Sequence, residues 1–225
     1  MSTFVVNGGK PLSGVIAAGS GKNSPIALLF AALLVRGKVE FEDMSHAEEV
    51  LRILEVFTAI GVGVEWIAKR TLRLDTSGSL HLDHLDQSVC RGVRVALLFF
   101  GALAARERAY SIYRTGGCDL GERTVRPHLF ALEKLGLKIN CTATAYEVAN
   151  PKEVRGADIV MYESGDTATE NAIMAAVLAK GTTTIRYASA NYMVQDICHF
   201  LVSAGARISG IGTSTLVIRG VKKLA

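Results

Sequence analysis

Residues 26–35 read Ile26-Ala27-Leu28-Leu29-Phe30-Ala31-Ala32-Leu33-Leu34-Val35, ten positions without one polar side chain. Wound as a helix, this segment has no wet face, so protein must surround it on all sides. It falls well short of the ~20 apolar residues needed to span a bilayer, as does the second such run, 95–105. The flanks supply the jacket. The polar break Arg36-Gly37-Lys38 leads into a short extended piece, Val39-Glu40-Phe41-Glu42, then an amphipathic segment ending at Gly61, then another extended piece, Val62-Gly63-Val64-Glu65-Trp66. Val50, Ile53, Leu54, Phe57 and Ile60 share one helical face. Ser45 and Glu48 have the spacing of a capping box, and Gly61 suits the left-handed backbone that closes a helix.

The same order of features recurs twice. The run 95–105 is followed by Arg106-Glu107-Arg108, the strand-like 109–113, a loop, a helical segment closing at Gly136, and the extended 137–141. The run 172–179 is followed by Lys180-Gly181, the strand-like 182–187, a helical segment closing at Gly205, and the extended 206–210. Gly61, Gly136 and Gly205 stand 75 and 69 residues apart, and five features in shared order mark an internal repeat. The pieces 71–75 and 215–219 alternate apolar with polar, as in a sheet with one wet face. The predicted fold class is therefore α/β: an inside-out α/β barrel of three βαβαβ-type repeats, about 14–80, 81–150 and 151–224, with buried helices and outer sheets.

Composition excludes several classes. Hydrophobic residues make up 49% and charged residues 20% of the 225 positions, and 22 glycines meet only 4 prolines, which rules out a disordered or collagen-like chain. The net charge of +4 is too small and too dispersed for a nucleic acid or an anionic membrane to be the expected partner. The N-terminal residues show no signal-peptide pattern. Cys90, Cys118, Cys141 and Cys198 match neither a zinc spacing nor a disulfide scaffold, so reduced thiols and a cytoplasmic location are expected. His81 and His84 lack a third ligand, and no metal site is expected. Cys90, Cys141 and Cys198 read as small core residues, and Trp66 as structural.

Chemistry is sought where the copies differ. The second is five residues longer between its apolar helix and closing glycine than the other two, and the extra length falls in 114–123. Cys118 stands there among Gly116, Gly117 and Gly121, with Arg114 and Arg123 placed to favour a thiolate. A second departure, Ala18 to Pro25, precedes the first buried helix. It fails as a phosphate-binding P-loop, because Ile16 occupies the first glycine position and Asn23 replaces the metal-binding hydroxyl residue. What remains is a glycine-rich turn with Lys22 at a helix N-terminus, an anion-attracting arrangement. Arg94 opens the second apolar helix, where a guanidinium needs an anion or a carboxylate. Glu170 and Asn171, at the start of the third buried helix, read as caps. Glu163 and Asp166 occupy the loop before it and, by repeat symmetry, face the same site.

These segments resemble the enolpyruvyl transferases. Residues 19–34 (GSGKNSPIALLFAALL) are similar to the family's GAKN-type opening. Residues 115–136 (TGGCDLGERTVRPHLFALEKLG) are similar to its cysteine-bearing catalytic loop, and 167–185 with 203–221 are similar to its third repeat. The resemblance runs from Phe4 to Leu224 and fits the branch whose loop carries a cysteine. It implies enolpyruvyl transfer from phosphoenolpyruvate to the 3-hydroxyl of UDP-N-acetylglucosamine in peptidoglycan synthesis, with no metal and no cofactor. It also implies that Lys22, Arg94 and Arg123 bind phosphoenolpyruvate. Cys118 would form a covalent adduct with it and be alkylated by fosfomycin. Asn23, Val125, Arg126 and His128 would contact the acceptor, as would Glu163, Ser164, Gly165 and Asp166.

Two stretches depart from the family pattern. Thr124-Val125-Arg126 stands where the family has Pro-Val-Asp, and Glu163-Ser164-Gly165-Asp166-Thr167 where it has a Lys-Val-Ser-Val-Gly-like run. Both lie on the acceptor side. The resemblance further implies a second domain supplying the general base, and a leader strand, residues 1–13, belonging to that domain. The chain would then carry one wall of the site and need a second domain or chain. Two other readings stand beside this one: a non-catalytic anion- or nucleotide-binding module of the same fold, and an enolpyruvyl transferase for a different nucleotide acceptor.

Overall fold

The computed structural model describes residues 3, 5–16, 18–85, 94–114 and 124–225, with residues 94 and 95 described by backbone alone. The apolar run becomes helix α1 (Asn23–Ala32), buried from Ser24 onward except for half-buried Leu28. Strand β1 (Lys38–Phe41) follows, then helix α2 (Glu48–Ala59), which buries Val50, Ile53, Leu54 and Phe57. Strands β2 (Gly63–Ala68) and β3 (Thr71–Asp75) complete an antiparallel sheet of order β1-β3-β2. A 3₁₀ turn at Arg94–Leu98 runs into the fully buried helix α3 (Phe99–Leu103). Strand β4 (Ala109–Tyr113), helix α4 (Arg126–Lys134), and strands β5 (Lys138–Cys141) and β6 (Ala145–Ala149) give a second antiparallel sheet, β4-β6-β5.

The remaining chain forms strand β7 (Asp158–Val160), helix α5 (Asp166–Ala176), strand β8 (Thr182–Arg186), helix α6 (Tyr192–Ser203), and strands β9 (Arg207–Ser209) and β10 (Thr215–Arg219). They build a sheet of order β7-β8-β10-β9, parallel only between β7 and β8. Each sheet places its last hairpin strand in the middle, and β3 and β10 turn alternate residues into the core. The three glycines that close the amphipathic helices take positive φ: Gly61 at +92°, Gly136 at +94° and Gly205 at +100°. Only a residue without Cβ enters that region freely.

Burying α1, α3 and α5 against one another makes the core. Phe30 meets Phe57 and Phe99 edge to face at centroid distances of 5.4 and 4.8 Å. Helix α3 reaches α5 closely because residue 101 is glycine: a Cβ there would lie 2.5 Å from the Asn171 carbonyl oxygen. Asn171 binds this contact together. Its Oδ1 accepts from Gly101 N at 2.7 Å, and its Nδ2 donates to Leu97 O at 3.0 Å and lies 2.8 Å from His128 Nδ1.

Three expectations are corrected. Ser45 does not cap α2, since its hydroxyl accepts from Ala47 N two residues on and Ala47 occupies the cap position. Glu170 and Asn171 are not caps, because α5 begins at Asp166 and both lie buried inside it. Cys141 is exposed at the end of β5, unlike buried Cys198, because β5 is an edge strand with little cover. Separately, the described part of the leader, residues 3 and 5–13, is exposed.

Candidate functional site

A cavity of about 470 Å³ opens where helix beginnings meet. Helix α1 contributes Asn23 and Ile26, its first and fourth residues, and α6 contributes Met193, its second. His128 comes from the first turn of α4, with Thr124 just before it. Asp166 and Thr167 open α5, preceded by Glu163 and Gly165. Each helix beginning leaves backbone N–H groups without an intrahelical acceptor and carries a partial positive charge. The N–H groups of Arg126 and Tyr192 are bonded to the side chains of Thr124 and Asn191, and the partial charges of the four beginnings together attract an anion.

The polar wall is anchored. Asp166 accepts hydrogen bonds from the Ser189 hydroxyl and from Asn191 Nδ2, tying the start of α5 to the loop before α6. Ser24 donates to Asp196 across α1 and α6. His128 is buried and held against Asn171. Glu170 is 1% exposed, and its Oε1 has no hydrogen-bond partner among the described residues. Burial first, and the neighbouring Asp166 carboxylate second, raise its pKa to about 8. Behind it, burial and then the Glu170 charge push the Cys198 thiol up to about 12, which makes that thiol inert.

Of the residues singled out from sequence, the cavity brings together Asn23, His128, Glu163, Gly165 and Asp166. Ser164 is exposed beside it. Lys22 sits at the start of α1, half exposed, with its ammonium paired to Glu49 of α2. Arg126 opens α4 but turns to Glu133 at 3.1 Å, and Val125 before it is half-buried. The Arg94 backbone begins the 3₁₀ turn leading to the cavity. Cys118, Arg123 and Cys90 lie outside the described residues. Sequence reading missed Glu170 as a lining residue, although a glutamate two residues before the all-apolar run 172–179, which must be buried, is the signal that should have marked it.

A second cavity, about 530 Å³, lies at the other ends of the buried helices, among residues 104–108 and 178–181. Lys152 and Lys222 also line it, and three of its cations are engaged within the chain. Arg106 donates to the carbonyls of Leu33, Thr76 and Gly78, Arg108 donates to that of Pro151, and Lys180 pairs with Glu153. Helix C-termini carry partial negative charge, so this end is the poorer anion site. Among the described residues no cluster of three or more potential metal ligands occurs, and no helix is long and apolar enough to cross a membrane.

This arrangement of outer sheets, buried helices and converging helix beginnings is the α/β fold of the enolpyruvyl transferases. Solved structures share it: the enolpyruvyl transferase NikO from Streptomyces tendae (TM-score 0.73, 21% identity, 96% of this chain and 51% of that one). A second is EPSP synthase from Acinetobacter baumannii (TM-score 0.69, 17% identity, 92% and 46%). Residues 6–225 match the family model for EPSP synthase (3-phosphoshikimate 1-carboxyvinyltransferase), and the chain belongs to that family of enolpyruvyl transferases. Its curated relatives include the UDP-N-acetylglucosamine 1-carboxyvinyltransferases of Bradyrhizobium diazoefficiens (38% identical over 217 residues, 96% of this chain and 50% of the relative). That of Treponema denticola is 35% identical over 224 residues, 100% and 52%. The chain spans about half the length of these relatives.

Proposed function

We propose that this chain is one half of an enolpyruvyl transferase that moves the enolpyruvyl group of phosphoenolpyruvate to the 3-hydroxyl of UDP-N-acetylglucosamine, a step of peptidoglycan synthesis. The observation that carries the proposal is the convergence of four helix N-termini on one cavity, with Lys22 adjoining its lining residue Asn23 and Leu98, the end of the turn that Arg94 begins, in its wall. The names of the curated relatives supply the acceptor. In this reading the chain folds as three repeats around a common axis, with a second domain or chain opposite the cavity.

The chemistry is an addition followed by an elimination. The acceptor oxygen bonds to C2 of phosphoenolpyruvate as its proton leaves to a base and C3 gains a proton. C3 then loses a proton as the C2–O bond to phosphate breaks, releasing inorganic phosphate and restoring the double bond. Lys22, Arg94 and Arg123 offset the donor's phosphate and carboxylate charge, and Cys118 takes the covalent adduct. Lys22 reaches the donor by leaving Glu49, an exposed pair worth no more than about 1 kcal/mol. The general base comes from the second half.

The test is mass spectrometry of the chain after exposure to phosphoenolpyruvate or fosfomycin. Modification at Cys118 in preference to Cys90, Cys141 and Cys198, and lost in Lys22→Ala, is expected. Labelling of Cys118 with no preference over the other thiols would instead leave a non-catalytic binding module. One observation favours a different nucleotide acceptor: Glu163 and Asp166, from the stretch that departs from the family's Lys-Val-Ser-Val-Gly-like run, stand in the cavity lining. A panel of nucleotides tested for protection of Cys118 separates the two acceptors.

A further inference from the structure

The polar groups of residues 169–171 are nearly all spent. Thr169 Oγ1 donates to Gly165 O at 2.8 Å and accepts from Ser189 N at 3.1 Å. Asn171 uses both ends of its amide on Gly101, Leu97 and His128. Glu170, between them, lines the cavity with Oε1 unpartnered among the described residues. A buried carboxyl oxygen left so carries a desolvation penalty of about 1–3 kcal/mol, so its persistence in the wall of a binding cavity asks for a ligand-bound reason.

The charges around it define what that ligand group can be. Asp166 lies one turn earlier on the same helix face, and Glu163 lies on the loop before it. His128 faces the cavity from α4, and Cys198 of α6 lies behind the carboxyl. A third carboxylate beside two others would repel an oxygen-rich ligand, whereas an uncharged carboxyl offers an O–H to it. Burial and Asp166 favour that uncharged form at neutral pH.

We propose that Glu170 is a specificity residue of the cavity, donating a hydrogen bond from its carboxyl to a hydroxyl or carbonyl oxygen of the sugar-nucleotide acceptor. This assignment rests on the acceptor reading proposed above. The carboxyl acts as a donor that a glutamine can replace and an ionised glutamate cannot.

The experiment titrates the folded chain with UDP-N-acetylglucosamine by saturation-transfer NMR between pH 6.5 and 9.5, using wild type, Glu170→Gln and Glu170→Ala. Melting curves verify that each variant is folded. Wild-type affinity is expected to fall towards tenfold per pH unit above about pH 8. Glu170→Gln should bind within about threefold of wild type at pH 7, and Glu170→Ala about tenfold more weakly. Both the Gln and the Ala profiles should be free of the fall above pH 8, because neither carries a carboxyl at position 170 and Asp166, Glu163, His128 and Cys198 are unchanged in both. Superimposable wild-type and Gln profiles, or an Ala variant that binds as wild type does, would overturn the role of Glu170 while leaving the acceptor reading standing. A folded wild type that binds no UDP-N-acetylglucosamine at pH 7 would overturn the acceptor reading itself, and this assignment with it.

Discussion

In the folded chain the Glu170 carboxyl ionises near pH 8, whereas the unfolded chain releases that proton near its ordinary value of 4.5. Between those values the unfolded state binds fewer protons than the folded one. Stability is therefore fully present below about pH 4.5 and is lost as pH rises through about 8, by up to about 1.4 kcal/mol per pH unit. Urea denaturation at pH 5.5 and pH 7.5 should show wild type losing more stability than Glu170→Gln over that interval; equal losses would place the carboxyl in contact with solvent. The Lys22–Glu49 pair predicts a smaller effect on the donor. Glu49→Gln frees the ammonium and should tighten phosphoenolpyruvate binding by a few-fold in an equilibrium titration, the scale of one exposed ion pair. Glu170 and Asn171 also show where reading residues in order fails. As members of a helix-start motif they looked like caps. Only the position of Asp166 at the true start of α5 shows them facing neighbouring helices, and that boundary depends on tertiary contacts with Ser189 and Asn191.

Helices and strands were better encoded. The all-apolar runs had one possible location, the closing glycines had one suitable backbone conformation, and alternation in β3 and β10 chose which side of each strand is buried. Gly205 isolates the backbone part of this logic, since a Cβ there would meet nothing within 4 Å. Gly205→Ala should therefore cost about 1 kcal/mol through φ alone, measured by denaturant unfolding, and Gly205→Asn less. Gly101 is the opposite case. Its Cβ would strike the Asn171 backbone, so Gly101→Ala must push α3 from α5 and should cost about 3 kcal/mol or more. No periodicity in the sequence announced that contact, because close approach of two helices depends on which small residue faces which backbone. The capping box at Ser45 failed for a related reason: its hydroxyl found a nearer donor in the turn before α2.

Across the molecule, α1, α4, α5 and α6 aim their beginnings at one end, and Arg106, Arg108 and Lys180 at the opposite end bind carbonyls and a carboxylate of the chain itself. That polarity makes one face a place for a donor anion. The sequence could locate Lys22, Asn23 and His128 near it through resemblance, and Glu163 and Asp166 of the acidic wall through repeat symmetry, but not Glu170, whose place in the wall depends on where α5 begins. The decisive measurement is phosphate release from phosphoenolpyruvate plus UDP-N-acetylglucosamine, with the chain alone and mixed with the C-terminal half of the Bradyrhizobium diazoefficiens relative. The chain alone is predicted to release none, and the mixture to release phosphate that disappears with Cys118→Ala. Turnover by the chain alone would contradict the half-site, and a folded, associated mixture that releases no phosphate would contradict enolpyruvyl transfer by this chain.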